Sequence, residues 1–249
     1  MTAILTCEHV SRRFPQFSLT DISFSLEKGY LAGMVGRNAS GKSALLRILS
    51  GQDLHFQGNI TIQGISIKEN PVKIRNLIGF IFEDQPVFLE KSPLENGMCF
   101  GRYFAHYDEA YYRKWLDRMG VDYFSPVHKL SKGNRMKFLC CLALSHHPEI
   151  LLLDEPSAGF DPIFRKEFLT ILQELLEEDM TILMTSHITE DLDKVADYIL
   201  HLENGRLIHK ETIEQLRTKN PRAKVSDSFS GTVQIKDLLK TSKEGRTRL

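Results

Sequence analysis

The segment Gly36-Arg-Asn-Ala-Ser-Gly-Lys-Ser43 constrains this chain more than any other. It matches G-x-x-x-x-G-K-[ST] at every fixed position. Glycines at both ends of such a turn let the backbone wrap closely, so that its N–H groups converge on phosphate oxygens. A helix beginning near Gly41 adds the positive end of its dipole. Lys42 then brings a point charge to the β- and γ-phosphates, and the Ser43 hydroxyl is a ligand for Mg²⁺. The motif needs a strand before it and a helix after it. Tyr30–Val35 is short and apolar, and Lys42–Ser50 places Leu45, Leu46 and Leu49 on one helical face. The candidate nucleotide-binding residues are therefore Gly36, Arg37, Asn38, Ala39, Ser40, Gly41, Lys42, Ser43 and the adjoining Ala44.

A second half of such a site is legible at Ile150-Leu-Leu-Leu-Asp-Glu155, an apolar strand ending in two carboxylates. In a phosphate-loop protein an Asp at a strand end holds Mg²⁺, which makes Asp154 a metal candidate beside Ser43. A Glu directly after it can polarise the attacking water, which makes Glu155 the candidate general base. No N-K-x-D base-reading motif occurs, which argues against a GTPase.

The rest of the chain predicts an α/β fold. Ala3–Val10 and Leu19–Leu26 alternate as strands, with Phe24 and Leu26 on one face and Ser23 and Ser25 on the other. Gly58–Gly64 reads as a further hairpin arm, and Asn204-Gly205 as a hairpin turn before a short strand at Arg206–His209. Buried strands are expected at Ile78–Phe82, Ile150–Leu153, Thr181–Thr185 and Tyr198–Leu202, with helices at Glu109–Met119, Lys132–Ser145 and Phe164–Leu176. Apolar strands alternating with helices imply a mostly parallel sheet. The expectation is a P-loop NTPase core with an N-terminal antiparallel β arm and an α-helical subdomain inserted at about 84–147.

Charge sets limits on partners. Lys plus Arg (32) balance Asp plus Glu (32), so no global field draws the chain to nucleic acid or anionic lipid. Lys219–Leu249 carries eight Lys/Arg against three Asp/Glu, about +5, and the remainder about −5. Residues 221–249 are expected to form a basic extension beyond a domain at 1–220. Met1–Arg13 lacks the pattern of a signal peptide. The longest charge-free stretch, Leu54–Ile67, has 14 residues and many polar ones, short of the roughly 20 apolar residues of a membrane span. Cys7, Cys99, Cys140 and Cys141 lack C-x-x-C spacing and read as thiols of a reducing compartment.

Between and after the two site halves, the order of motifs resembles the ATP-binding cassette ATPases over roughly Ala3–Leu216. Leu130-Ser-Lys-Gly-Asn-Arg135 is similar to that family's L-S-G-G-Q signature, Pro156-Ser-Ala-Gly-Phe-Asp161 to its D-loop, and Thr185-Ser-His187 to its H-loop. The resemblance implies ATP and Mg²⁺ as cofactors, ATP hydrolysis, and a head-to-tail homodimer or heterodimer with another such subunit. Each ATP would lie between one phosphate loop and the other subunit's Ser131 and Gly133. Lys42, Glu155 and His187 would be the catalytic residues, with His187 on the γ-phosphate and Asp161 coupling the two sites. Phe14 falls where the family stacks an aromatic on adenine.

The chain departs from the family at two places. Glu83 stands where the Q-loop usually has Gln, and Lys132 stands for the first glycine of the signature, with Asn134 for its Gln. Glutamate remains a metal ligand, so Glu83 joins Ser43 and Asp154 in the expected Mg²⁺ set, with Gln85 as an alternative if the loop is offset. A lysine at a helix start opposes the dipole. The resemblance further implies a separate transmembrane permease, met through Pro86, Val87 and Phe88, and a peripheral position at the cytoplasmic face of the membrane. Lys28-Gly-Tyr30, Glu83 and the altered signature look similar to ATPases of ABC-2-type exporters. The competing readings are a soluble ABC ATPase acting on nucleic acid or ribosomes, which the basic tail suggests, and a nucleotide sensor without turnover.

Overall fold

The computed structural model describes residues 3–157, 159–186 and 189–215. The chain opens with β1 (Ala3–Arg13) and β2 (Ser18–Glu27), an antiparallel pair, and then enters β3 (Leu31–Val35). The phosphate loop leads from β3 into α1 (Lys42–Leu49). A hairpin of β4 (Gln57–Ile62) and β5 (Ile65–Ser66) returns alongside β1 and completes a four-stranded antiparallel sheet of order β2-β1-β4-β5. Next come α2 (Pro71–Leu77) and β6 (Ile78–Ile81).

Three α-helices separate β6 from the next strand: α3 (Pro93–Gly101), α4 (Glu109–Arg118) and α5 (Lys132–Leu144), with a 3-10 turn at Val127–Lys129 before α5. Each starts on a side chain that accepts from an otherwise unbonded first-turn N–H. Ser92 accepts from Glu95 in a full capping box, Asp108 from Tyr111, and Ser131 from Asn134. The chain then alternates as β7 (Ile150–Asp154), α6 (Pro162–Glu177), β8 (Thr181–Thr185), α7 (Thr189–Val195), β9 (Tyr198–Glu203) and β10 (Arg206–Thr212).

The second sheet has the order β10-β9-β3-β8-β7-β6 and is parallel except for β10. Its inner strands β3, β7 and β8 are buried on both faces, and the period of two divides their side chains between two cores. Ala32 and Met34 of β3 and Ile150 and Leu152 of β7 face the antiparallel sheet and Leu45, Leu46 and Leu49 of α1. Leu31 and Val35 of β3 and Leu151 and Leu153 of β7 face Phe138 and Leu139 of α5 and Phe168 and Leu172 of α6. The expected α/β core with a mostly parallel sheet and an antiparallel arm is therefore present. Neither α2 nor α7 was expected from the sequence; each is a single seven-residue element. Among the described residues no helix is long and apolar enough to cross a membrane. The basic extension at 221–249 lies outside the described residues, and so does His187.

Candidate nucleotide site

The parallel register brings the phosphate loop and the two carboxylates to the same sheet edge. β8 pairs with β3 on one side and β7 on the other, with Met34 opposite Thr185 and Asp154 also opposite Thr185. Ligands of open α/β sheets bind outside the carboxyl ends of such strands.

The loop is held at its limit of closeness. A Cβ on Gly36 would collide with the Leu202 carbonyl and lie 2.7 Å from Ser40 Oγ, so only glycine fits. Gly41 caps α1 at φ 105, a conformation that side-chain-bearing residues avoid, and so sets the N-terminus of that helix at the end of the loop. Support comes from a distant turn: the Gly205 N–H donates to the Ser40 carbonyl at 3.0 Å, while the Gly205 carbonyl accepts from Thr20 at 2.8 Å. Asn204 and Gly205 have φ of 48 and 73, the hairpin geometry expected of Asn-Gly. This turn is thus a buttress of the phosphate loop, a role its local sequence does not announce.

A cleft of about 450 Å³ opens here, lined by Phe17, Asn38, Ala39, Ser40, Gly41, Lys42, Ser43, Ala44 and Glu155. Lys42 is buried at 6% exposure, and its ammonium donates to the carbonyls of Gly36 at 2.9 Å and Arg37 at 3.2 Å. Burial pushes its pKa down, while Glu155 and then Asp154 work against that shift. Ser40 Oγ is buried with no hydrogen-bond partner among the described residues, an open polar atom in a phosphate cradle.

The carboxylates are positioned by one hydroxyl. Thr185 Oγ1 donates to Asp154 Oδ1 at 2.7 Å and accepts from the Glu155 N–H at 2.9 Å. Glu155 itself has φ 50, which turns it out of the strand toward the cleft. Among the described residues no group of three or more His, Cys, Asp or Glu side chains could hold a metal unaided. Mg²⁺ usually takes one or two carboxylates and completes its shell with water and substrate phosphates. The Ser43 hydroxyl and the Asp154 carboxylate are hard oxygen donors of the kind such an ion takes.

Other expected residues lie elsewhere. Phe14 does not line the cleft; its ring stacks on Phe17 at 4.5 Å with the planes 9° apart, and the Arg12 guanidinium lies 5.1 Å from its centroid. Phe17, three residues on, is the aromatic at the cleft wall, a position the sequence reading did not single out. Glu83 also lies outside the cleft lining and is bonded to Lys132 at 2.7 Å. Gln85 has its Oε1 buried without a partner among the described residues. Ser131 and Gly133 stand at the start of α5 and do not line this cleft. Asp161 caps α6 by accepting from Ile163 and Phe164, and those N–H groups draw its pKa down. Both α6 and the loop before it are tied to α7: Arg165 of α6 grips Asp191 with two nitrogens, and Ser157 of the loop donates to Asp191 Oδ2 at 3.3 Å.

Comparison with known proteins agrees with this geometry. The family model described as ABC transporter matches residues 19–158, more than half of the chain. The ABC transporter ATP-binding protein NatA of Bacillus subtilis (strain 168) is 31% identical over 224 residues, covering 86% of this chain and 91% of the relative. The structure of an ATP-binding subunit of an ABC transporter superposes with a TM-score of 0.81 at 22% identity, covering 96% of this chain and 98% of that one. A dimeric post-hydrolysis state of the ATP-binding cassette MJ0796, bound to ADP and Pi, gives a TM-score of 0.76 at 20% identity over 84% and 98% of the two chains. The last two are likenesses of fold. With phosphate loop, paired carboxylates and fold in place, the chain belongs to the ABC transporter family as an ATP-binding, ATP-hydrolysing subunit.

Proposed function

We propose that two such cassettes close head to tail over two ATP molecules and drive a separate membrane permease, with this chain peripheral at the cytoplasmic face. The observation that carries the reading is the half-built cleft. It has a phosphate loop, an ammonium and a general base on one side, while Ser131 and Gly133, at another helix N-terminus, lie outside it. A second subunit presenting the same pair would complete it.

Within the closed site the residues divide the work. The loop amides and Lys42 bind and orient the phosphates, and Phe17 offers a face to the base. Ser43 and Asp154 would hold Mg²⁺, which supplies charge neutralisation on the phosphates when bound. Glu155 accepts the proton of the attacking water, and His187 is read as a γ-phosphate contact. Phe14 serves this arrangement by backing Phe17.

The permease surface is read from the loop after β6. Phe88 is 49% exposed and Leu89 44%. Buried Asn96 bonds the Phe88 backbone at both its N–H (2.9 Å) and its carbonyl (3.0 Å), so the apolar tip is rigidly presented. Phe88→Asp should abolish co-purification with a membrane-spanning partner.

The direct test of the dimer is Glu155→Gln. It should keep ATP binding, cut turnover by about two orders of magnitude or more, and accumulate a dimer with ATP in size-exclusion chromatography. Turnover equal to that of the unaltered chain would remove Glu155 as the base.

A further inference from the structure

The two departures from the family pattern, Glu83 and Lys132, are bonded to each other, with Lys132 Nζ 2.7 Å from Glu83 Oε1. Glu83 lies in a turn directly after β6, closed by the Gln85 N–H on the Phe82 carbonyl at 3.1 Å. The neighbouring Asp84 is gripped from the other side by Arg47 of α1, at 2.5 and 2.7 Å. Lys132 is the first residue of α5, and its stem runs past Gly159, where an added Cβ would sit 3.4 Å from Lys132 Cγ and Cδ. One acidic turn thus ties the phosphate-loop helix to the start of the signature helix and to the loop before α6.

The pair has a reason on each side. An unaccompanied ammonium at a helix start opposes the dipole, and the Glu83 carboxylate offsets that repulsion. A free carboxylate beside bound phosphates would raise their charge conflict; paired with Lys132, Glu83 lies outside the cleft lining. The carboxylates that face Lys42 are Glu155 and Asp154, not Glu83.

We propose that Lys132 is a positioning residue for Glu83: it holds this carboxylate away from the cleft and yields it when Mg²⁺ arrives with ATP. Both side chains are largely exposed, at 58% and 68%, so the contact is weak enough for a divalent ion to displace. Release frees Lys132 and loosens the start of α5 at the moment the signature must meet a second subunit. The proposal rests on the reading that Glu83 reaches the metal in the loaded site.

The test measures ATP affinity of the purified full chain with Mg²⁺ and with EDTA, and takes the ratio. Lys132→Met should raise the Mg²⁺ advantage about two- to five-fold, the ceiling for an exposed pair, and Lys132→Arg should leave it unchanged. In a Glu83→Gln background Lys132→Met should have no further effect. Hydrogen exchange of the nucleotide-free chain gives a second readout: the amides of residues 83–85 and 133–135 should exchange faster in Lys132→Met than in the unaltered chain. An unchanged Mg²⁺ advantage in Lys132→Met, or the same gain with Gln at position 83, overturns the proposal while leaving the nucleotide site intact. Failure of the unaltered chain to bind ATP in either condition would instead remove the site on which it rests.

Discussion

Thr185 donates its hydroxyl hydrogen to Asp154 at 2.7 Å, from a position with no solvent exposure. The same oxygen accepts the Glu155 N–H. One buried atom therefore holds both the Asp154 carboxylate and the backbone that turns Glu155 toward the cleft. A hydrogen bond to a charged group contributes about 1.5–3 kcal/mol. Thr185→Val keeps the shape and removes the bond, so turnover should fall about ten- to hundred-fold, with little loss of nucleotide affinity. Steady-state ATPase assays beside equilibrium ATP binding check this; a turnover unchanged within two-fold would show that the strand alone positions the pair.

Phe17 and Phe14 make separable predictions because only Phe17 lines the cleft. Aromatic stacking on a base is worth about 1–3 kcal/mol, so Phe17→Ala should weaken ATP binding roughly ten-fold or more. Phe14→Ala should act less, through loss of the 4.5 Å stack behind Phe17. The opposite ranking in a fluorescent-nucleotide titration would return the base to Phe14, as the family resemblance has it.

Arg165 and Asp191 predict a stability effect. Asp191 keeps 2% side-chain exposure and Arg165 28%, so removing the cation strands a buried carboxylate. Breaking a buried pair from one side costs about 3–5 kcal/mol, and the partial exposure of Arg165 brings Arg165→Ala below that range, to about 2–3 kcal/mol. Chemical denaturation measures it. Arg165→Lys should recover only part of the loss, since an ammonium cannot reproduce the two-nitrogen grip.

What the sequence made legible was local. The strand–loop–helix around Gly36–Ser43 and the Asp154–Glu155 strand end are contiguous patterns whose periods of 2 and 3.6 need no knowledge of the rest of the chain. The relations that finish the site are not contiguous. Thr185 meets Asp154 only through the parallel register, Gly205 reaches Ser40 only once β9 and β10 fold back, and Lys132 meets Glu83 across the three-helix insertion. Lys132 and Glu83 looked like two independent anomalies because each was weighed against its own neighbours. The turn at Phe14–Phe17 shows the same limit: the resemblance points to Phe14 alone, and only the folded turn shows Phe17 at the cleft wall with Phe14 stacked against it.

His146 gives the protein a defined acid sensitivity. Its ring is 2% exposed and stacks on Phe104 at 4.0 Å between centroids. Nε2 lies 3.1 Å from the Ile78 carbonyl, so the neutral ring donates from Nε2, and the buried Nδ1 has no partner among the described residues. Protonating Nδ1 would bury an unpaired cation, and burial lowers the pKa from 6.5 to about 4. Between those values the unfolded chain binds the proton and the folded chain does not, so this group makes stability rise with pH. Its contribution is complete above about pH 6.5 and is lost as pH falls toward 4; about 2 kcal/mol should be gone by pH 5 at 1.36 kcal/mol per unit. His146→Gln can still donate to the Ile78 carbonyl but cannot titrate. Denaturation free energies at pH 7 and pH 5 should therefore differ by about 2 kcal/mol less in His146→Gln than in the unaltered chain, whatever the variant's baseline. Equal pH dependence in the two would mean that the folded protein accommodates a charged ring at this position.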